Sequence, residues 1–279
     1  MADAIIKITP LAPALGAEIE GVDLSQPLSD DTIGQIRQAL LDNLVIFFHD
    51  QHLTPEQHLA LGRCFGTLNI HAYVEGMADY PELMEVRKEP EDARNFGGQW
   101  HADVSYLAEP PLGSILYAKE VPEVGGDTLW ANLYLAYETL SPGMRKMLDG
   151  VTAVHTPAKA LGLRAQDGDQ PSSIRMRSNS AMEMEHPVVR THPETGRKLL
   201  FIGGDFTPRF TDMTEEESKP LLDYLMTHIT SETLTCRYRW RQNDVAFWDN
   251  RSTLHYALND YAGRRRVMHR VTINGDRPF

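Results

Sequence analysis

Hydrophobic positions in the first part of the chain predict one short strand between two helices. Leu44–Phe48 is short, apolar and rich in β-branched and aromatic residues, which is typical of a buried strand. Before it, Ser29 begins a segment with apolar residues at helical spacing. After it, Thr54 is the predicted N-cap of a second helix, with Pro55 at the first helical position and Gln57 completing a capping box.

From Trp100 onward the pattern predicts strands joined by turns, with a few helices between them. Between Leu234 and Trp240, apolar and polar residues alternate with the period of a half-buried strand. Further strands are predicted at Ser114–Lys119, from Thr128, at Val245–Trp248 and at Arg266–Ile273. Helices are predicted near Leu133–Leu140, after Ser141, and after Thr214, where Glu217 completes a capping box. The pattern therefore predicts a mainly β protein with flanking helices, of the α+β class.

One long segment, 156–185, shows neither the helical spacing of apolar residues nor the alternation of a strand. It is polar, contains Gly162, Gly168 and Pro171, and is too long for an ordinary loop within a compact domain. We interpret it as a mobile lid beside an active site.

Composition narrows the class of partner. A chain of 279 residues with 42% hydrophobic content can bury one large core, so we expect a single domain over 1–279. The formal net charge of -12 disfavours binding to nucleic acid or to anionic lipid. No apolar stretch is long enough to span a bilayer, and the first residues lack a secretory signal. We therefore expect a cytoplasmic protein that acts on small molecules.

A candidate metal site begins at His101 and Asp103. If this segment is a strand, residues two apart share a face and offer an imidazole and a carboxylate to one ion. The spacing alone is weak, because it is expected about once or twice by chance. A second instance, His192-Pro193-Glu194, has the sequence of a hairpin turn. His255, which follows a predicted buried strand, is the candidate third ligand.

Two histidines and one carboxylate on one face leave coordination positions open, which suits Fe(II) and O2 chemistry. A zinc ion with a hydrolytic water is the competing interpretation of the same three residues. A non-catalytic jelly-roll binding protein is the third, and it would not need three converging ligands.

Two arginines follow the third candidate ligand. In a strand from Arg266 to Ile273, Arg266 and Arg270 share a face and lie roughly 13 Å apart. They cannot clamp one small anion together. Each could bind a separate carboxylate or sulfonate-like group on either side of a metal.

Four ordered motifs carry a family resemblance: Trp-His-x-Asp-Val, Gly-Gly-Asp-Thr-Leu-Trp, Trp-Asp-Asn-Arg-x-Thr-x-His-Tyr and Arg-x-Met-His-Arg. With them the chain resembles, from Gly16 to Phe279, the taurine dioxygenase family (TauD/TfdA-like), which includes alkylsulfatase and aryloxyalkanoate dioxygenases. The resemblance implies a double-stranded β-helix, that is, a cupin-like jelly roll. It also implies Fe(II), 2-oxoglutarate as cosubstrate, and O2, with release of succinate and CO2.

Site roles follow from the same resemblance. His101, Asp103 and His255 match the metal ligands and catalytic centre of the family, and Thr128 and Arg266 match the residues that hold the distal carboxylate of 2-oxoglutarate. Residues matching the substrate pocket are His71, Tyr73, Phe206 and Arg270, with Arg270 on the anionic head group. The resemblance implies a small anionic substrate, a sulfonate, alkyl sulfate or aryloxyalkanoate, and a homo-oligomeric enzyme. Gly97-Gly98-Gln99 departs from the Asn-rich stretch of taurine-specific relatives.

Overall fold

Strands dominate the computed structural model, which describes residues 6–71, 74–158 and 182–279. Within these ranges the strands are β1 (Lys7–Pro10), β2 (Ala17–Glu20), β3 (Val45–Phe48), β4 (Leu83–Lys88), β5 (Gly113–Glu120), β6 (Thr128–Asn132), β7 (Thr152–His155), β8 (Met184–Pro187), β9 (Val189–Thr191), β10 (Lys198–Leu200), β11 (Arg209–Phe210), β12 (Thr235–Tyr238), β13 (Val245–Asp249), β14 (Thr253–Ala257) and β15 (Arg266–Ile273). The α-helices are α1 (Asp30–Asn43), α2 (Pro55–Arg63), α3 (Leu133–Glu138), α4 (Pro142–Leu148) and α5 (Glu215–Ile229).

The largest sheet has seven strands in the order β1-β2-β3-β13-β5-β15-β4. Its central strands are buried on both faces and divide their side chains between two cores. In β3, Val45 and Phe47 pack into the inner core, whereas Ile46 and Phe48 pack into the outer core. This alternation is the period of two that a pleated strand imposes. A continuous apolar run in the sequence is therefore required here.

Two helices cover the outer face of this sheet. Side chains of α1 and α2, among them Ile36, Leu40 and Leu61, pack against the outward residues of β3, β5 and β13. Both helices begin as the sequence predicted, with Ser29 capping α1 and the reciprocal Thr54–Gln57 capping box opening α2. Each cap satisfies amide groups that the first helical turn leaves without partners.

The inner face is covered by smaller sheets, of which β12-β6-β14 and β11-β7-β8 have three strands each. Trp130 of β6 and Leu254 of β14 meet Trp248 of the large sheet in one core, and α3 and α5 pack behind the small sheets. The two layers form the predicted jelly roll, and the mainly β class with flanking helices is confirmed.

Some predicted elements differ from the structure. The strand predicted over 234–240 is shorter, because Leu234 ends a 3-10 turn and Trp240 follows β12, although the buried and exposed residues alternate throughout. The strand geometry considered for His101–Asp103 is not formed: His101 forms an isolated bridge with His255, and Asp103 lies in a turn. His192 does begin a hairpin turn, between β9 and β10.

The predicted lid at 156–185 lies mostly outside the described residues, which omit 159–181. Its last two residues, Met184 and Glu185, belong to strand β8 and not to a loop.

No described helix is long and apolar enough to cross a membrane. The single domain, the lid, the cytoplasmic location and the homo-oligomer stay predictions.

Candidate metal centre

Three side chains converge between the two sheet layers. The Nε2 atoms of His101 and His255 each lie 3.8 Å from Oδ1 of Asp103, and all three residues are buried. His101 and His255 are held together by two backbone hydrogen bonds, His101 N to His255 O at 3.0 Å and the reverse at 2.8 Å. Because Asp103 lies in the turn that follows, its carboxylate reaches the same point without a continuous strand.

Both imidazoles can present a lone pair to an ion. His101 donates from Nδ1 to the carbonyl of Gln99 at 2.6 Å; a carbonyl only accepts, so Nδ1 carries a proton and Nε2 is the nitrogen that can ligate when the ring is neutral. Burial, and to a smaller extent the neighbouring His101, lowers the pKa of His255 well below its ordinary value. Neutral imidazole is the ligating form.

The carboxylate of Asp103 is ionised. Burial alone would raise its pKa, but that pKa lies well below its ordinary range, and the positive charge of Arg270 is the largest cause that lowers it, with the Ser114 hydrogen bond adding to the effect. Arg270 donates from Nη1 to Oδ1 at 2.8 Å, and Ser114 donates from its hydroxyl to Oδ2 at 2.9 Å. Two imidazole nitrogens and one anionic oxygen form a donor set that fits a divalent ion.

A second constellation lies at the far end of a small cavity that also reaches His101 and His255. Arg266 is 5% exposed, and its Nε and Nη2 atoms have no hydrogen-bond partner among the described residues. Its guanidinium lies 5.9 Å from the ring of Trp240, whose indole donates to the hydroxyl of Thr128 at 2.9 Å. Burial lowers the pKa of Arg266, yet a guanidinium stays charged at neutral pH. A buried charge with unsatisfied donors fits a carboxylate ligand.

Glycine makes room for this arginine. Gly126 has φ +74°, and a Cβ there would come within 3.3 Å of Cδ of Arg266 and of the ring of Tyr261. The Gly-Gly-Asp-Thr motif thus provides both a left-handed turn and space beside the guanidinium.

A larger cavity of about 320 Å³ opens on the other side of the three converging side chains. Arg270 lines both cavities, and His71 and Phe206 line this one. Phe206 packs edge-on against Tyr106 at 5.2 Å between ring centroids. Tyr73, the remaining predicted pocket residue, lies outside the described residues. A still larger cavity, about 860 Å³, lies against α5 behind Gly98–Trp100 and touches none of the three converging side chains.

Sequence reasoning missed two residues that bind Asp103, namely Ser114 and Asn250. Asn250 lies inside the Trp-Asp-Asn-Arg motif, so a signal was present without a role attached to it. Ser114 is one ordinary residue of a buried strand, and nothing in the sequence marks it.

Comparison with known proteins gives consistent results. The model of the "Taurine catabolism dioxygenase TauD, TfdA family" matches residues 7–272. An alkylsulfatase of Acinetobacter baylyi is 35% identical, over 97% of this chain and 86% of the relative. An alpha-ketoglutarate-dependent sulfate ester dioxygenase of Pseudomonas putida is 35% identical, over 98% of this chain and 91% of the relative. The crystal structure of a taurine dioxygenase from Burkholderia xenovorans superposes with a TM-score of 0.83 at 37% identity, covering 98% of this chain and 92% of that one.

Proposed function

The chain belongs to the taurine catabolism dioxygenase TauD, TfdA family, and from this premise we propose that it is an Fe(II)- and 2-oxoglutarate-dependent dioxygenase that hydroxylates a small anionic organic substrate. Its cofactors are Fe(II), 2-oxoglutarate and O2, as the alpha-ketoglutarate-dependent relatives imply. Succinate and CO2 are the products of the cosubstrate. The observation that carries the proposal is a buried His-Asp-His set beside a buried arginine, Arg266, two of whose donors have no partner among the described residues.

His101, Asp103 and His255 would hold the iron. When bound, Fe(II) supplies the activation of O2 and the oxidation of a C–H bond. The contribution of the protein is to keep the His255 imidazole neutral, to keep Asp103 ionised, and to shield the centre between two sheets.

Arg266 and Thr128 would anchor the distal carboxylate of 2-oxoglutarate. The Nε and Nη2 atoms of Arg266 can both donate to one carboxylate, and the cavity between them and the histidines sets the direction in which the cosubstrate lies. Arg270 follows this anchor four positions later on β15, so the two anions are kept apart.

Arg270 would orient the anionic head of the primary substrate. It lies beside Asp103 at the base of the 320 Å³ cavity, so a C–H bond next to the anion is held close to the metal ligands. His71, Phe206 and Tyr73 are proposed to complete this pocket.

The lining of the same cavity favours a substrate with an apolar tail. Val104, Tyr106 and Phe206 belong to one apolar cluster on its wall. Among its described lining residues the sole carboxylate is Asp103, which Arg270 already neutralises. An ammonium group would therefore be desolvated without a counter-charge. We propose an alkyl sulfate, alkanesulfonate or aryloxyalkanoate in preference to an aminosulfonate such as taurine.

Succinate release tests the proposal directly. Purified protein with Fe(II), ascorbate, 2-oxoglutarate and O2 should form succinate in proportion to substrate for a linear alkyl sulfate or alkanesulfonate, and much less for an ω-amino alkanesulfonate of equal length. Lack of succinate with every substrate class, together with zinc-supported hydrolysis in the absence of O2, would reject the dioxygenase.

A further inference from the structure

Asn250 lies in the turn between β13 and β14, the two strands on either side of the metal-binding region. Its side chain is fully buried, and its backbone amide donates to the carbonyl of Leu112 at 2.8 Å. The residue is thus fixed in the scaffold independently of its side chain. A buried amide group at such a point needs partners of its own.

Those partners are backbone atoms, chiefly those of Asp103. Oδ1 of Asn250 accepts from the backbone amide of Asp103 at 2.7 Å, and Nδ2 donates to the Asp103 carbonyl at 3.0 Å and to the Pro111 carbonyl at 3.4 Å. One side chain therefore satisfies both polar backbone groups of Asp103, as a neighbouring strand would.

Asp103 needs this substitute because it lies in a turn. His101 is registered on β14 by its bridge with His255, but the bridge ends there. Val104, next to Asp103, has φ +40°, an unfavourable conformation for a β-branched residue. Such conformations are strained and persist when surrounding contacts hold them. The hydrogen bonds from Asn250 are contacts of this kind.

We propose that Asn250 is a positioning residue for the metal centre, whose amide locks the turn bearing Asp103 onto the β13–β14 connection. All three ligands are then placed by one unit: His255 by β14 itself, His101 by its bridge to β14, and Asp103 by Asn250. The inference rests on the proposed function, since it requires these side chains to bind a metal. It adds a residue that touches neither metal nor substrate.

Metal affinity provides the test, with Co(II) as a spectroscopic stand-in for Fe(II) under anaerobic conditions. Asn250→Ala should weaken Co(II) binding about 10- to 100-fold, as loss of the groups that orient metal ligands generally does. Asn132→Ala is the matched control. Asn132 is also a buried asparagine bonded to backbone, accepting from Leu135 N at 3.0 Å and donating to Ala14 O at 2.6 Å, so its loss should lower stability and leave the Kd for Co(II) unchanged.

A second variant keeps the test decisive if Asn250→Ala does not fold. Asn250→Asp preserves size and the acceptor for Asp103 N, but at pH 8 it sets a carboxylate against the Asp103 and Pro111 carbonyls, so weaker Co(II) binding and an altered Co(II) absorption band are expected. Val104→Gly, which relieves the backbone strain, should restore part of the lost affinity in either background.

The outcomes separate the two proposals. Folded Asn250 variants that bind Co(II) as tightly as the wild type would overturn the positioning role and leave the metal centre intact. A wild-type protein that binds Co(II) no better than His255→Ala would overturn the metal centre and, with it, the role of Asn250.

Discussion

Two positions on one face of strand β15 carry the same residue type in different surroundings. Arg266 has two nitrogens without a partner among the described residues and lies over the ring of Trp240. Arg270, four residues later on the same face, donates to Asp103 and lies 5.6 Å from the ring of Phe96. Arg266 is therefore a strong site for an added anion, whereas Arg270 already shares its charge with a metal ligand. An identical side chain acquires its role from what the fold places opposite it.

The largest effect is expected where the two halves of the site meet, at Asp103. Asp103→Ala removes a ligand and leaves the Arg270 guanidinium buried without its carboxylate, so we expect loss of both stoichiometric iron binding and succinate formation. Metal analysis and turnover assays measure this, and His101→Ala should behave alike. Asp149→Ala, which removes an exposed partner of Lys198, serves as the control. Normal iron content in the Asp103→Ala variant would show that Asp103 is not a metal ligand.

At the Arg266 end, the cosubstrate should be affected. Arg266→Ala should raise the 2-oxoglutarate concentration needed for half-maximal rate about 100-fold, because charge-assisted hydrogen bonds to a buried carboxylate are lost. Arg266→Lys, which keeps the charge but not the planar fork, should fall in between. Steady-state kinetics with varied 2-oxoglutarate are the measurement. An unchanged requirement for 2-oxoglutarate would show that Arg266 does not anchor the cosubstrate.

At the Arg270 position, the primary substrate should be affected instead. Arg270→Ala should lower kcat/KM for the anionic substrate about 10- to 100-fold. A smaller rise in the 2-oxoglutarate requirement is compatible with its contact to Asp103. If the kinetic defects of the Arg266 and Arg270 variants came out exchanged, the roles assigned to the two arginines would be wrong.

The smallest effect concerns a buried polar group on the other face of the same sheet. His58 of α2 donates from Nε2 to the Ile115 carbonyl at 3.1 Å, and burial, aided by His269 and Lys119, lowers its pKa to about 3. Since the unfolded chain takes up a proton near pH 6.5 and the folded protein does not, stability present above that pH is lost as pH falls toward 3. Between pH 7.5 and 5.5 the free energy of unfolding of the wild type should fall by about 1 kcal/mol more than that of His58→Gln. Urea unfolding at both pH values measures the difference. Equal losses of stability in the wild type and His58→Gln would show that folding does not lower the pKa of His58.

Several elements were predictable because their causes are local. The caps of α1, α2 and α5 use Ser or Thr side chains within three residues of the amides they satisfy, and the two-residue alternation of β15 follows from strand geometry. The segment from His101 to Asp103 does not form the strand that its sequence suggested. Its conformation depends on β14 and Asn250, which lie about 150 residues later.

The sequence by itself determined the reaction class, through four ordered motifs, and the mainly β architecture, through short apolar runs with a period of two. Which atoms meet was decided by tertiary structure. The ion pair of Arg270 with Asp103 and the hydrogen bonds of the Asn250 amide to Asp103 join residues far apart in the chain, and the fold leaves two donors of Arg266 without a partner among the described residues. Hydrogen bonds and desolvation depend on distances of a few ångströms, and only the packing of two sheets sets those distances.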